Sequence, residues 1–327
     1  MCHRSREEKI MKKEIISILL TGTVAAGLLT GCGSPAASAA NTSAGIGTSG
    51  EADNSVETSA GIEATGESSD ASTDKKIIVG ANPVPHADIL DNIVKEVLAK
   101  DGWELETVVF EDYVLPNTSL EAGELDANYF QTLGYMNQQN SDAGLHLTAT
   151  AGVHIEPMGI YSEKYKSLEE IPDGAEIGIP NDPENTERGL NLLVQKGLLN
   201  SIGAYGTDDD YSAESLTDDK EANPHGYKIT TLEAASLPLS LPDLDAATIN
   251  GNYALGADLP LNYPALDIEE FDEETSVRRT NFIVVRTGNE NSEKSKALTK
   301  AIQSDEVKAY IEEHYKGSVI PSFIDPE

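Results

Sequence analysis

From Gly33 to Asp74 the chain is almost entirely Ser, Ala, Gly, Thr, Glu and Asp, without one aromatic residue, Lys or Arg. Such a stretch cannot bury enough apolar surface to offset the entropy of ordering it. A compact body must therefore be built from residues 75–327, and the segment before it reads as a flexible tether. The two cysteines, Cys2 and Cys32, both precede that body, so it rests on its own core with no disulfide. The charge balance restricts partners as well. With 23 Lys+Arg against 56 Asp+Glu the formal net charge is −33, and no basic cluster lies beyond the first thirteen residues. A phosphate backbone would be repelled at long range, which excludes nucleic acid as a partner.

Upstream of the tether, Lys12 and Lys13 precede an apolar run from Ile15 to Leu29. The run is too short and too rich in Gly, Ala and Thr to span a bilayer comfortably, and has the proportions of a secretory signal peptide. Met11-Lys12-Lys13 has the form of a leader start, so residues 1–10 read as upstream of the natural start. The run ends in Leu29-Thr30-Gly31-Cys32, which resembles the lipobox of bacterial lipoproteins. The resemblance implies cleavage before Cys32 and diacylation of that cysteine, with palmitate an expected acyl chain. The expected division is a signal peptide over 1–31, the lipidated Cys32 and tether over 32–74, and a folded domain over 75–327. The location is the extracytoplasmic face of the cell membrane, held by lipid.

Within 75–327, strands alternate with helices. Lys76–Gly80 reads as a buried strand, followed by a helix carrying Ile89, Leu90, Ile93, Val94, Val97 and Leu98 at helical spacing, with Gly102 as its cap. Trp103–Phe110 alternates into a second strand, Pro116-Asn117 opens a helix, and Gly123–Ala127 leads to a third strand. This βαβα series predicts a parallel sheet with helices on both faces. It restarts at Glu176–Pro180, continues through a helix from about Pro183 to Lys196, and returns to a strand at Asp245–Ile249. A strand Asn281–Arg286 and helices around Ala297–Ile302 and Glu306–His314 close the chain. The fold class is α/β with two lobes: lobe 1 about 75–153 plus 255–327, lobe 2 about 154–254, with crossings near Val153–Tyr161 and Ile249–Ala254. Asp208–Glu221 reads as a solvated acidic loop, since its Asp runs lack the glycine and spacing of an EF-hand.

Seven motifs in order carry a family resemblance: Val79-Gly80-Ala81-Asn82-Pro83-Val84-Pro85-His86, Asp112-Tyr113-Val114-Leu115-Pro116-Asn117, Glu124-Leu125-Asp126-Ala127-Asn128-Tyr129-Phe130-Gln131, Glu156-Pro157-Met158-Gly159, Ile179-Pro180-Asn181-Asp182-Pro183, Ile249-Asn250-Gly251-Asn252-Tyr253-Ala254 and Gln303-Ser304-Asp305-Glu306-Val307. Over nearly all of Lys76–Phe323 the chain resembles the NlpA-type lipoproteins, the methionine-binding components of ABC importers. The resemblance implies a two-lobed, type II periplasmic-binding-protein-like fold with the ligand cleft between the lobes. It also implies capture of methionine and its delivery to a membrane permease and its ATPase. Two positions depart from the family pattern: Thr132 stands where His usually follows Phe-Gln, and Leu239 where Arg usually follows Leu-Pro.

Free methionine offers a carboxylate, an ammonium and a thioether, so its site needs a cation and helix amides, acceptors, and soft apolar walls. Arg188 is the expected carboxylate partner. With Asp182 as N-cap and Pro183 at the first helical position, Asn185 and Arg188 share one face near a helix N-terminus. Read without the resemblance, Arg188 is as readily a solvated helix residue. Asn250 and Asn252 bracket Gly251, where their amides reach a zwitterion or simply make an Asn-Gly turn. Tyr129, Phe130, His154 and Tyr161 are candidates for the apolar wall and equally for the core. Glu156 is a candidate for the ammonium, and Asn82 and His86 stand close behind. Neither Arg188 nor Asn250 carries a core role in this reading, so truncating either leaves the unliganded stability nearly unchanged.

Other classes have less behind them. No nucleophile-elbow spacing or Gly-rich phosphate loop is present, so the chain reads as a non-enzyme that needs no cofactor. The six histidines are scattered in sequence, which argues against a metal site. Alternatives kept open are a binding protein for another small amino acid or a methionyl dipeptide, and a surface lipoprotein with a sensor or adhesive role.

Overall fold

The computed structural model describes residues 75–200, 216 and 218–326. The leader, Cys32, the tether and most of the acidic segment 208–221 lie outside the described residues. Strand β1 (Lys76–Ala81) alternates Ile77, Val79 and Ala81 into one core while Ile78 packs against another, as a period of two demands. The chain kinks through Pro83–Ala87, where Val84 is extended, and a wide helical turn over Leu90–Val94 leads into α1 (Lys95–Lys100). Then come β2 (Glu104–Val109), α2 (Leu115–Ala122), β3 (Ala127–Thr132), α3 (Leu133–Ala143) and β4 (Leu147–Ile155). In this part β1 pairs parallel with both β2 and β3.

The chain leaves that sheet through Glu156-Pro157-Met158 and builds a second one from β5 (Gly159–Tyr161), β6 (Glu176–Pro180), β7 (Lys228–Leu232), β8 (Ala246–Ile249) and β9 (Asp267–Ile268), in the order β7-β6-β8-β5-β9. Helix α4 (Pro183–Gln195) follows β6, and α5 (Gly251–Gly256) follows β8. Helix α6 (Glu273–Arg279) leads into β10 (Thr280–Arg286), which joins the first sheet; α7 (Glu293–Ile302), α8 (Asp305–Tyr315) and β11 (Ile320–Pro321) complete it in the order β11-β4-β10-β3-β1-β2. No helix among the described residues is long and apolar enough to cross a membrane.

Two expectations are corrected. Neither sheet is wholly parallel: β10 runs antiparallel to both β3 and β4, and β5 runs antiparallel to β8 and β9. Both strands enter from the opposite sheet, so no helical crossover obliges them to run with their neighbours. The return crossing also falls later than Ile249–Ala254. Leu255 of α5 touches the first core, but the chain then turns back, with Leu259 in a core of the second sheet and β9 paired to β5. It enters the first sheet only at Thr280. Each sheet carries a core on either face, and β10 feeds both first-sheet cores by alternation, Ile283 and Val285 to one and Phe282 and Val284 to the other.

Candidate functional site

A small, partly open cavity lies where the two sheets' loops meet. From the first-sheet side come Phe130, Gln131 and Thr132 at the end of β3, Tyr135 in the first turn of α3, and Tyr113 from the β2–α2 loop. From the second come Asn185 and Arg188 on α4 and Asn250-Gly251-Asn252 at the β8–α5 turn. Glu156 on the outgoing crossing and Asn281 on β10 complete the lining. Local sequence explains the placements. Pro183 opens α4 and the Asp182 side chain caps it, accepting from the Asn185 backbone N–H at 3.0 Å. Gly189 lets α4 lie against β8, since a Cβ there would stand 2.6 Å from Thr248 Oγ1. Gly251 does the same for the turn, where a Cβ would stand 2.7 Å from Glu156 Cβ and 3.0 Å from the Pro157 carbonyl oxygen.

Of the residues named from sequence, Phe130, Asn185, Arg188 and Asn250 line the cavity, and Tyr129, His154 and Tyr161 do not. Adjacent strand residues point to opposite faces, so with Phe130 toward the cleft Tyr129 enters the first core. Tyr161 lies on β5 in a core of the second sheet, where burial pushes its phenol up to about 12. His154 sits fully buried one layer behind the cavity. Its Nε2 meets Glu156 Oε1 at 2.6 Å and its Nδ1 meets the Tyr129 hydroxyl. His86 Nε2 lies 3.1 Å from both Glu156 Oε1 and Asn281 Oδ1. Two histidines scattered in sequence thus converge, with Glu156, into a buried group whose ligand atoms lie within 4.8 Å of one another. That donor set has the chemistry to hold a cation, yet its atoms are already joined to each other by hydrogen bonds. Asn82 sits behind the wall too, donating to the Phe110 and Asp112 carbonyls at 2.6 and 3.2 Å and so fixing the loop that carries Tyr113.

The charges are arranged as linked pairs. Burial pushes the Glu156 carboxyl up, but His86 and His154 together outweigh it and hold it at about 2; burial holds His154 below its usual value. Arg188 is buried, donating from Nε and Nη2 to Glu269 and from Nη2 to the Glu156 carbonyl at 2.8 Å. Nη1 has no hydrogen-bond partner among the described residues. Glu269 also accepts from Arg279, whose Nη1 reaches Glu184 at 2.9 Å. Arg188 is therefore no solvated helix residue, and the expectation that its truncation spares stability is corrected: removing it breaks a buried ion pair. Asn185 donates its Nδ2 to Asp182 at 3.0 and 3.1 Å and accepts from Asn250 Nδ2 at 2.7 Å. Asn250 Oδ1 is buried without a partner among the described residues. Asn252 accepts from the Tyr113 hydroxyl at 2.6 Å, a bond between the two sides.

Sequence reasoning did not single out Tyr113, Gln131, Tyr135 or Asn281 for the site. Tyr113 and Gln131 lie inside the family motifs, but nothing in their spacing marks them; Tyr135 and Asn281 carry no signal. The cavity offers a cationic corner, a carboxylate beside an unpaired carbonyl oxygen, and the rings of Tyr113, Phe130 and Tyr135, which suits a small zwitterion with a nonpolar tail.

The family model for the NlpA lipoprotein family matches residues 77–323. The chain belongs to the NlpA lipoprotein family. Among curated relatives of this NlpA lipoprotein, the D-methionine-binding lipoprotein MetQ of Escherichia coli is 37% identical over 75% of this chain and 86% of its own length. A nutrient binding protein from Burkholderia cenocepacia, solved bound to methionine, is 37% identical with a TM-score of 0.69, covering 76% of this chain and 100% of its own. The substrate binding protein of a methionine transporter from Streptococcus pneumoniae is 32% identical with a TM-score of 0.67, covering 76% of this chain and 96% of its own. The NlpA chain thus shares the two-lobed fold of substrate-binding lipoproteins.

Proposed function

We propose that this protein is an extracytoplasmic, lipid-anchored substrate-binding protein that captures methionine and hands it to the permease and ATPase of an ABC importer. The observation that carries the reading is a cavity built by both sides of the molecule that gathers a guanidinium, a carboxylate, an unpaired amide oxygen and three aromatic rings. Arg188 Nη1 faces a carboxylate, Glu156 and Asn250 Oδ1 face an ammonium, and the aromatic rings of Tyr113, Phe130 and Tyr135 suit a thioether. The methionine bound to the Burkholderia cenocepacia protein and the transporter role of the Streptococcus pneumoniae protein support it. Capture and delivery is a non-enzymatic task, and no residue of the cavity is asked to make or break a bond.

Calorimetric titration of the purified mature protein tests the ligand. L-methionine should bind with higher affinity than leucine or norleucine, and mass spectrometry of ligand released by mild denaturation should return methionine. Absence of methionine binding, or preferential release of another compound, would remove the reading. The anchor is tested separately. One acyl chain holds a protein marginally and two hold it well, so Cys32→Ala should move the protein from washed membranes to the soluble fraction without changing methionine affinity.

A further inference from the structure

The geometry points to Asp182 as a positioning residue for ligand recognition: through Asn185 it holds the Asn250 amide with its oxygen toward the cleft, reserving Asn250 as an acceptor for the ligand's ammonium. The inference rests on the methionine reading and adds a residue that does not line the cavity.

Asp182, Asn185 and Asn250 form a chain of groups whose donor and acceptor roles are forced. An ionised carboxylate only accepts. Both oxygens of Asp182 lie within 3.1 Å of Asn185 Nδ2, so that amide cannot rotate without setting its oxygen against a carboxylate. With Nδ2 fixed on Asp182, Asn185 Oδ1 faces Asn250 and must receive a proton, and Asn250 Nδ2 supplies it at 2.7 Å. Asn250 is then left presenting Oδ1, which is buried and unpartnered among the described residues. A buried orphan acceptor is costly unless something brings it a donor.

Its surroundings say which kind of donor. The turn packs so closely on the crossing that a Cβ on Gly251 would stand 3.3 Å from Glu156 Oε2, which brings a second acceptor of the cavity lining up to the residue next to Asn250. The Nε and Nη2 of Arg188 are engaged by Glu269 and the Glu156 carbonyl. Two adjacent acceptors, one of them anionic, call for a cationic group with several N–H bonds, which in an amino acid is the ammonium. A hydroxyl or carbonyl group at that position would leave at least one acceptor unmet.

The test compares L-methionine with 4-(methylthio)butanoate, which keeps the carboxylate and thioether and lacks the amine. Asp182→Asn and Asp182→Ser both keep a side chain that caps α4 well, and each abolishes the acceptor-only end of the relay, so Asn185 and Asn250 are free to turn over. Either variant should lower methionine affinity about tenfold, the scale of one hydrogen bond to a charged group, and leave affinity for the butanoate within about twofold of wild type. In the double variant Asp182→Asn/Asn250→Ala the loss should equal that of Asn250→Ala alone, because the two act on one bond. Equal losses for both ligands would show a merely structural role and overturn the proposal, as would additive losses in the double variant or unchanged methionine affinity. The additivity arm needs methionine alone and so decides even where the butanoate binds too weakly to titrate. If wild type binds no methionine, the functional reading falls and takes this inference with it; binding with equal or additive losses removes the inference and leaves the reading standing.

Discussion

Arg188 carries two loads at once. Its Nη1, which in the proposed reading takes the ligand carboxylate, makes no hydrogen bond among the described residues, while Nε and Nη2 complete a buried ion pair with Glu269. Arg188→Ala should therefore weaken methionine binding by about 2–5 kcal/mol, some thirtyfold or more, because a buried carboxylate is left unpaired. It should also destabilise the unliganded protein by about 2 kcal/mol, less than for an isolated buried pair because Glu269 keeps Arg279. Titration calorimetry and denaturant unfolding read the two effects separately, and unchanged unliganded stability would contradict the pair's role. Glu156 supplies a pH signature. Its carboxyl is held at about 2 against an ordinary 4.5, so the stabilisation it gives is complete above about pH 4.5 and is lost as pH falls toward 2. Unfolding midpoints over that window should drop more steeply in wild type than in Glu156→Gln, and parallel curves would contradict the assignment.

At the scale of elements, the β8–α5 turn depends on having no side chain at Gly251. A methyl group there meets Glu156 Cβ and the Pro157 carbonyl, neither of which is the free end of a flexible chain. Gly251→Ala should cost about 1–3 kcal/mol of stability by overpacking and, by moving Asn250 from Glu156, at least about tenfold in methionine affinity; thermal unfolding and calorimetry measure both. Much of this architecture could be anticipated. The helix after Pro183 and the strands before Pro180 and Ile249 announce themselves through capping residues and β-branched runs, and Arg188 and Asn250 follow from their positions at element ends. Tyr129 and Phe130 could not be separated in the same way. They face apart, but only the register of β3 against β1 and β10, with its break at Phe130, decides which one faces the cleft. Tyr113 and Asn281 were hidden for a related reason: each reaches the cavity from a segment placed by pairings far away in sequence.

For the whole molecule, the two crossings bring together loops from both sheets, and the cleft is spanned by few direct bonds. The Tyr113 hydroxyl meets Asn252 at 2.6 Å, the Tyr253 hydroxyl meets the Glu111 carbonyl at 3.2 Å, and the rings of Tyr113 and Tyr253 lie 4.9 Å apart. Tyr113→Phe removes the first bond and leaves Asn252 Oδ1 unmet. Methionine should then dissociate about five- to tenfold faster with an almost unchanged association rate, which stopped-flow fluorescence can follow; a slower association with unchanged dissociation would contradict this. The same spanning bonds separate residence time from contact strength. If methionine sits between the two sides as proposed, it leaves as they part, and the Tyr113 and Tyr253 bonds then time its escape along with the groups that touch it. A membrane partner that drew these two tyrosines away from their acceptors would release the cargo without competing for the amino acid's own charges.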